Sequence, residues 1–115
     1  MTRSKITKSK ITRALAAALV AFMAAAVANA DPSAVHSIVV NHLAYGRAPE
    51  GLRIGDIIEW SNADIFRHTA TATDGSFDID LPPGATGKTV LKREGVIHYF
   101  CRFHPGMKGA LNIAP

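Results

Sequence analysis

From Gly95 to Cys101 the chain alternates strictly: Ile97, Tyr99 and Cys101 fall on one face, Val96, His98 and Phe100 on the other. A period of two is that of a strand with one face against a core. The next six residues, Arg102 to Met107, contain Pro105-Gly106 and cannot continue that strand. They must loop over the end of the core to which the strand delivers Cys101. No other feature constrains the chain so tightly, because it places the only cysteine among 115 residues.

The same alternation recurs upstream between turn residues. The stretch "HSIVVNHLAY" reads as one strand, and Leu52-Arg53-Ile54 as another. After a Gly55-Asp56 turn, "IIEW" sets Ile58 and Trp60 on one face, and "HTATAT" is a short strand ended by Asp74-Gly75. "DLPPGATG" reads as loop, since two prolines and two glycines interrupt a ladder. Thr89-Val90-Leu91 precedes a Glu94-Gly95 turn, and Leu111 and Ile113 mark a last strand. Seven or so short strands at this spacing imply an all-β, antiparallel sandwich.

Residues 1–30 read differently. Arg3, Lys5, Lys8, Lys10 and Arg13 form a basic head, Ala14 to Ala28 is an unbroken apolar run, and Ala28-Asn29-Ala30 offers a small-residue cleavage site. Together these make a secretory signal peptide, cleaved after Ala30. The run is shorter and more alanine-rich than a spanning helix needs, so membrane insertion after cleavage is not expected. The absence of an Arg-Arg pair points to export as an unfolded chain, and the expected location is the periplasm.

Five of the 13 basic residues belong to this leader, leaving eight against nine acidic residues in 31–115. The basic balance is thus a property of the leader and no argument for nucleic acid. Residues 31–115 are expected to form one domain. An exported domain of this size often uses disulfides, but one cysteine cannot make an internal one. A lone thiol in an oxidising compartment is easiest to understand with a metal on its sulfur.

The loop supplies companions for it. His104 and Met107 follow Cys101 at intervals of three, and a tight loop turns all three side chains toward a common point. Thiolate with thioether favours copper over magnesium, calcium or manganese, and zinc seldom takes a thioether. Haem attachment would need two cysteines in C-x-x-C-H. A fourth ligand must come from another strand end, and His68, at the start of "HTATAT", is best placed. Two histidines, one cysteine and a weak axial methionine is the blue-copper electron-transfer arrangement.

Three stretches resemble the small cupredoxins, the family of plastocyanin, pseudoazurin and, above all, amicyanin. They are "GDIIEWSNAD", His68-Thr69 with three residues after Asp64, and "CRFHPGMKG" as C-x2-H-x2-M-x-G. The resemblance covers nearly all of 31–115. It implies a Greek-key β-sandwich holding one type I copper through His68, Cys101, His104 and Met107, with electrons exchanged at the edge of His104. Two features depart from the family. Thr69 stands where an asparagine commonly bridges the ligand loops, which implies a weaker or different side-chain brace. Arg67 and Arg102 flank the ligands, two cations that would favour Cu(I) and suit an anionic partner.

Simpler readings compete at each position. A free cysteine is often just a small buried hydrophobe, but His104 and Met107 in register argue otherwise. A cysteine nucleophile would need an orienting group and an oxyanion site, and neither is legible, so no enzyme is expected. His36, His42 and His98 read as surface histidines, with a secondary metal site on His36 and His42 as the sharper alternative. Trp60 and Tyr99 read as core, and Asp74, Asp78 and Asp80 as a solvated loop.

The resulting expectation is a monomeric periplasmic electron carrier. It would meet a redox protein, either a cytochrome or a periplasmic dehydrogenase or oxidase, through a transient contact on the apolar apron of Phe103, Pro105 and Gly106. The alternative is a copper-holding or copper-delivery protein with the same ligands. A methionine-rich flexible arm would favour delivery, whereas Met107 is the only methionine in 31–115.

Overall fold

The computed structural model describes Ala21 and residues 33–115. The expected leader therefore lies, Ala21 apart, outside the described residues. Among the described residues no helix is long and apolar enough to cross a membrane.

The described strands are β1 (Val35–Asn41), β2 (Ala44–Tyr45), β3 (Leu52–Arg53), β4 (Ile57–Asn62), β5 (His68–Ala72), β6 (Asp78–Leu81), β7 (Thr86–Val90), β8 (Gly95–Phe100) and β9 (Lys108–Ala114). They form a sheet in the order β2-β1-β4-β7 and another in the order β3-β9-β8-β5-β6. Alternate residues of each strand face inward. Ile38, Val40, Ile58 and Trp60 from the first sheet meet Ala70, Leu81, Ile97, Tyr99, Leu111 and Ile113 from the second in one buried cluster. The chain crosses between sheets after β2, β3, β4, β6 and β7.

The expected all-β sandwich is present, but its pairing is mixed and not purely antiparallel. β1 runs parallel to β4, with Ile38 opposite Trp60, and β3 runs parallel to β9, with Leu52 opposite Ile113. Alternation reports which face a residue takes and says nothing of strand direction. Parallel neighbours need a long crossover, which here is the segment between β1 and β4.

Three further expectations change. "HSIVVNHLAY" is not one strand: the chain reverses at His42 and Leu43, whose φ values are 53° and 57°, so that Asn41 pairs with Ala44. Both central residues of this two-residue hairpin are left-handed, an uncommon state for leucine. It is held by Asn41 Oδ1, which accepts from His42 N–H at 2.9 Å, and by Asp64 Oδ2, which accepts from Leu43 N–H at 2.8 Å. Asp78 and Asp80 lie on a strand, β6, and not in a loop, because Ile79 and Leu81 alternate with them toward the core. The "DLPPGATG" segment is loop only at its centre: Leu81 ends β6, and Thr86 and Gly87 already belong to β7. Gly87 is tolerated there because Ile79 packs across it, so close that a Cβ would lie 2.4 Å from Ile79 Cγ2.

The core is centred on aromatic rings. Tyr99 sits edge-on to Trp60 and to Tyr45, with centroids 5.0 and 4.9 Å apart, a favoured arrangement for aromatic quadrupoles. Gly109 pairs with Tyr99 across β8 and β9, and the tyrosine ring occupies the space a side chain would take, with Cζ 2.2 Å from a Cβ built there. At the opposite end of β4, Asp56 fastens three strand termini. Its carboxylate accepts from Ala34 N–H and Arg53 N–H, both at 3.1 Å, and pairs with His36 Nε2 at 3.0 Å.

Two outcomes follow from these contacts. Gly109→Ala forces Tyr99 out of its place and should cost about 1–3 kcal/mol of stability. A denaturation midpoint equal to that of the parent would show that the ring can move freely. The second concerns acid. The Ala34 N–H, then His36, hold the Asp56 carboxyl below its usual range. A carboxyl depressed in the folded state stabilises fully above its unfolded value, ~3.9. That contribution is lost as pH falls through the lower folded value. Asp56→Ala should therefore melt lower at neutral pH, and the gap from the parent should close as pH falls below about 4. An equal gap at pH 7 and at about pH 2 would contradict this.

Candidate metal centre

The site is built where β5 begins and β8 ends. β8 keeps its alternation to the last residue, so Cys101 is fully buried, as is His68 at the start of β5. The loop after Cys101 closes on itself: Met107 N–H donates to His104 O at 2.8 Å, and Cys101 N–H donates to Met107 O at 3.1 Å. That closure returns His104 and Met107 to the end of the sandwich where Cys101 lies. Met107 is 6% exposed and joins the core cluster, while His104 is half-buried.

Cys101 Sγ lies 3.7 Å from His68 Nδ1 and 3.8 Å from His104 Nδ1. These three ligand atoms all fall within 4.8 Å of one another. For metal bonds of about 2.0 Å to nitrogen and about 2.3 Å to sulfur, such N–S edges subtend roughly 120°, the angle of a trigonal plane. The donor set therefore fits a copper ion in size as well as in softness.

The surroundings prepare these donors. Asp64 Oδ2 lies 3.0 Å from His68 Nε2. Its carboxyl is held down at about 2, first by the Leu43 N–H and then by His68. An ionised carboxylate only accepts, so the His68 proton resides on Nε2 and the Nδ1 lone pair faces the thiol. Asn62 holds the intervening loop by donating to Leu81 O at 2.8 Å and Phe66 O at 2.7 Å, while its Oδ1 accepts from Asp64 N–H at 2.8 Å. Every polar atom of that buried amide is used, which accounts physically for the W-x-N-x-D spacing.

Thr69 braces the thiol from β5. Its N–H points at Cys101 Sγ at 3.4 Å, and its Oγ1 accepts from Arg102 N–H at 2.9 Å. The side-chain brace is thus a different one, as expected: the threonine hydroxyl bridges the two ligand segments. The Tyr45 hydroxyl donates to the Thr69 carbonyl, and burial, first among the causes, pushes that phenol up and keeps it protonated.

Arg67 and Arg102 do not stand as unpaired cations. Arg67 makes a two-pronged pair with Asp80 at 2.5 and 2.9 Å, and Arg102 Nε meets Asp78 Oδ1 at 3.2 Å. Both guanidinium groups lie over the Phe103 ring, at 5.2 and 5.9 Å from its centroid. The apolar apron around His104 is wider than Phe103, Pro105 and Gly106. Phe66 lies edge-on to the His104 ring at 6.0 Å, and Ile65 is 81% exposed beside it in sequence. Asp64 and Phe66 stand just before His68 in the chain, but nothing in their spacing announces that Asp64 meets the His68 ring or that Phe66 meets the His104 ring.

The remaining histidines stay apart from this cluster. His98 is exposed on the outer face of β8. His36 is near the start of β1 and His42 just beyond its end, roughly 20 Å apart along a strand, so they do not form a second site together.

No protein-family model and no curated protein matches the chain. Solved structures do. A purple cupredoxin from Nitrosopumilus maritimus is similar at a TM-score of 0.56 and 24% identity, over 68% of this chain and 98% of its own. A reduced tryptophan-to-tyrosine variant of amicyanin gives 0.62 at 18% identity, over 74% and 85%. The reduced Cu(I) form at pH 4 of a proline-to-glycine variant of amicyanin gives 0.62 at 19% identity, over the same shares. At these identities the likeness is one of fold: the chain is a cupredoxin-like sandwich.

The Asp64–His68 contact generates a direct expectation. Asp64→Ala removes the acceptor that keeps the His68 proton on Nε2, and the affinity of the site for a metal ion should fall roughly 10–100-fold. Imidazole nitrogen shifts in the copper-free variant should show Nδ1–H gaining population. An unchanged tautomer would remove this role from Asp64.

Proposed function

We propose that this protein is a type I copper electron-transfer protein, a Greek-key sandwich exported to the periplasm and working there as a monomer. His68, Cys101 and His104 are the equatorial ligands and the buried Met107 the axial one. The carrying observation is the pair of imidazole Nδ1 atoms set 3.7 and 3.8 Å from a buried thiol, in a cupredoxin-like sandwich. Bound copper supplies one-electron cycling between Cu(II) and Cu(I). The chain's residues hold one donor geometry for both states. The β5 and β8 backbones fix His68 and Cys101, Asp64 fixes the His68 tautomer, and full burial of both excludes water. No substrate is transformed, so the protein is not read as an enzyme.

His104 is half-buried beside Phe66, between the exposed Phe103 and Pro105 of its own loop. Exposed apolar residues around a half-buried ligand suit a transient redox partner, a cytochrome or a dehydrogenase or oxidase, because weak encounters bury little area. Copper delivery from the same ligands has no comparable support: His68 and Cys101 are fully buried, the His68 ring bonded to Asp64 and the thiol to the Thr69 N–H.

The visible spectrum of the copper-loaded protein tests this reading. The parent should show a strong thiolate-to-Cu(II) charge-transfer band, and Cys101→Ser should abolish it; a coloured serine variant would sink the assignment. Carrier and delivery protein separate by metal exchange. Cu(I) should leave for a moderate chelator no faster than the fold opens, and rapid loss from the folded protein would favour delivery.

A further inference from the structure

Through Thr69, β5 holds both the thiol and the backbone beyond it, at Sγ and at the Arg102 N–H. That double hold depends on where the Thr69 hydroxyl sends its own proton. Thr69 is fully buried, and its Oγ1 lies 2.8 Å from Thr71 Oγ1. Thr71 Oγ1 in turn donates to Asp78 Oδ1 at 2.7 Å. Thr71 and Asp78 are cross-strand partners on β5 and β6. Asp78 Oδ1 also accepts from Arg102 Nε at 3.2 Å, so the path closes on the residue where it began.

The order of protons around this ring is fixed at one point. A carboxylate can only accept, so Thr71 must donate to it. The lone pairs of Thr71 are then left for the Thr69 proton, and those of Thr69 for the Arg102 N–H. Each hydroxyl donates one bond and accepts another, so the direction set at Asp78 reaches the ligand loop unreversed. Bonds polarised head to tail reinforce one another where water is excluded, as it is at Thr69.

We propose that Thr71 and Asp78 are positioning residues for the candidate metal centre: they orient the Thr69 hydroxyl so that it accepts the Arg102 N–H and locks the Cys101 loop onto β5. The lock rests on no metal, whereas its consequence for copper rests on the ligand reading above. Arg102 follows Cys101 directly, so a loosened amide there frees the rotation that sets Sγ against His68 Nδ1.

The test uses the full chain with Thr71→Val, Thr71→Ser and Asp78→Ala, the last an exposed site where folding is little disturbed. In copper-free protein, hydrogen exchange of the Arg102 amide should accelerate about five- to tenfold in Thr71→Val, the worth of one net hydrogen bond. Asp78→Ala should move it the same way, Thr71→Ser should restore it, and the β8–β9 ladder amides should keep parental rates. With copper bound, the charge-transfer band should shift in Thr71→Val and return in Thr71→Ser. An Arg102 amide at parental rate in Thr71→Val, or equal acceleration of every amide, overturns the lock. A parent without the band would instead sink the copper reading, and the exchange rates, measured without metal, would still decide the lock.

Discussion

Antiparallel pairing of β5 with β8, with Thr71 opposite Phe100 and Ala72 opposite Tyr99, is the contact on which the candidate centre depends. Continued past Phe100, that register sets Cys101 opposite Ala70 and Arg102 opposite Thr69, one residue from His68, which brings the Thr69 hydroxyl to the Arg102 N–H and the Thr69 N–H within reach of Sγ. A slip of one residue would turn Cys101 to the outer face and His98 to the inner. The buried Ile97 and Tyr99, tied to Trp60 and packed over Gly109, make such a slip expensive. The core thus does more than stabilise: it sets the phase that decides which side chains reach the end of the sandwich.

At that end the strands stop and polar groups take over, and burial leaves them little freedom. A buried imidazole without partners is costly, and His68 is satisfied by Asp64 on one nitrogen and faces the thiol with the other. Asp64 also caps the Leu43 amide in the left-handed turn between β1 and β2. One carboxylate therefore ties the hairpin of the first sheet to a donor of the second. Asn62, two residues earlier, fixes the loop that carries it. These bonds leave Nδ1 of His68 directed at the thiol before any metal arrives.

The surface next to His104 is apolar at its centre and neutralised at its edge. Arg67 and Arg102 meet Asp80 and Asp78, and exposed pairs of this kind contribute little to stability. Their geometric effect is clearer: they flatten against Phe103 and hold the loop toward β6. A free cationic rim would have selected anionic partners; this one is already balanced by carboxylates of the same chain.

Much of this arrangement is legible in the amino-acid sequence. Alternation in "VIHYFC" placed Ile97, Tyr99 and Cys101 inward and His98 outward, and the Pro105-Gly106 break returned His104 toward the thiol. Those inferences hold because side-chain period and backbone breaking are local properties. Strand direction was not readable, since Ile38 and Trp60 alternate alike whether β1 and β4 run together or opposed. The left-handed turn at His42-Leu43 is not legible because one of its two anchors, the acceptor of the Leu43 N–H, is Asp64, 21 residues away. Asp78 and Asp80 looked like solvated loop until pairing with β5 made them strand residues facing two arginines. Residue type and alternation along the chain dictate which side chains can serve as donors and which face each takes. Which distant groups orient those donors depends on the folded arrangement, because hydrogen-bond partners are chosen by proximity in space, and spacing along the chain does not record it.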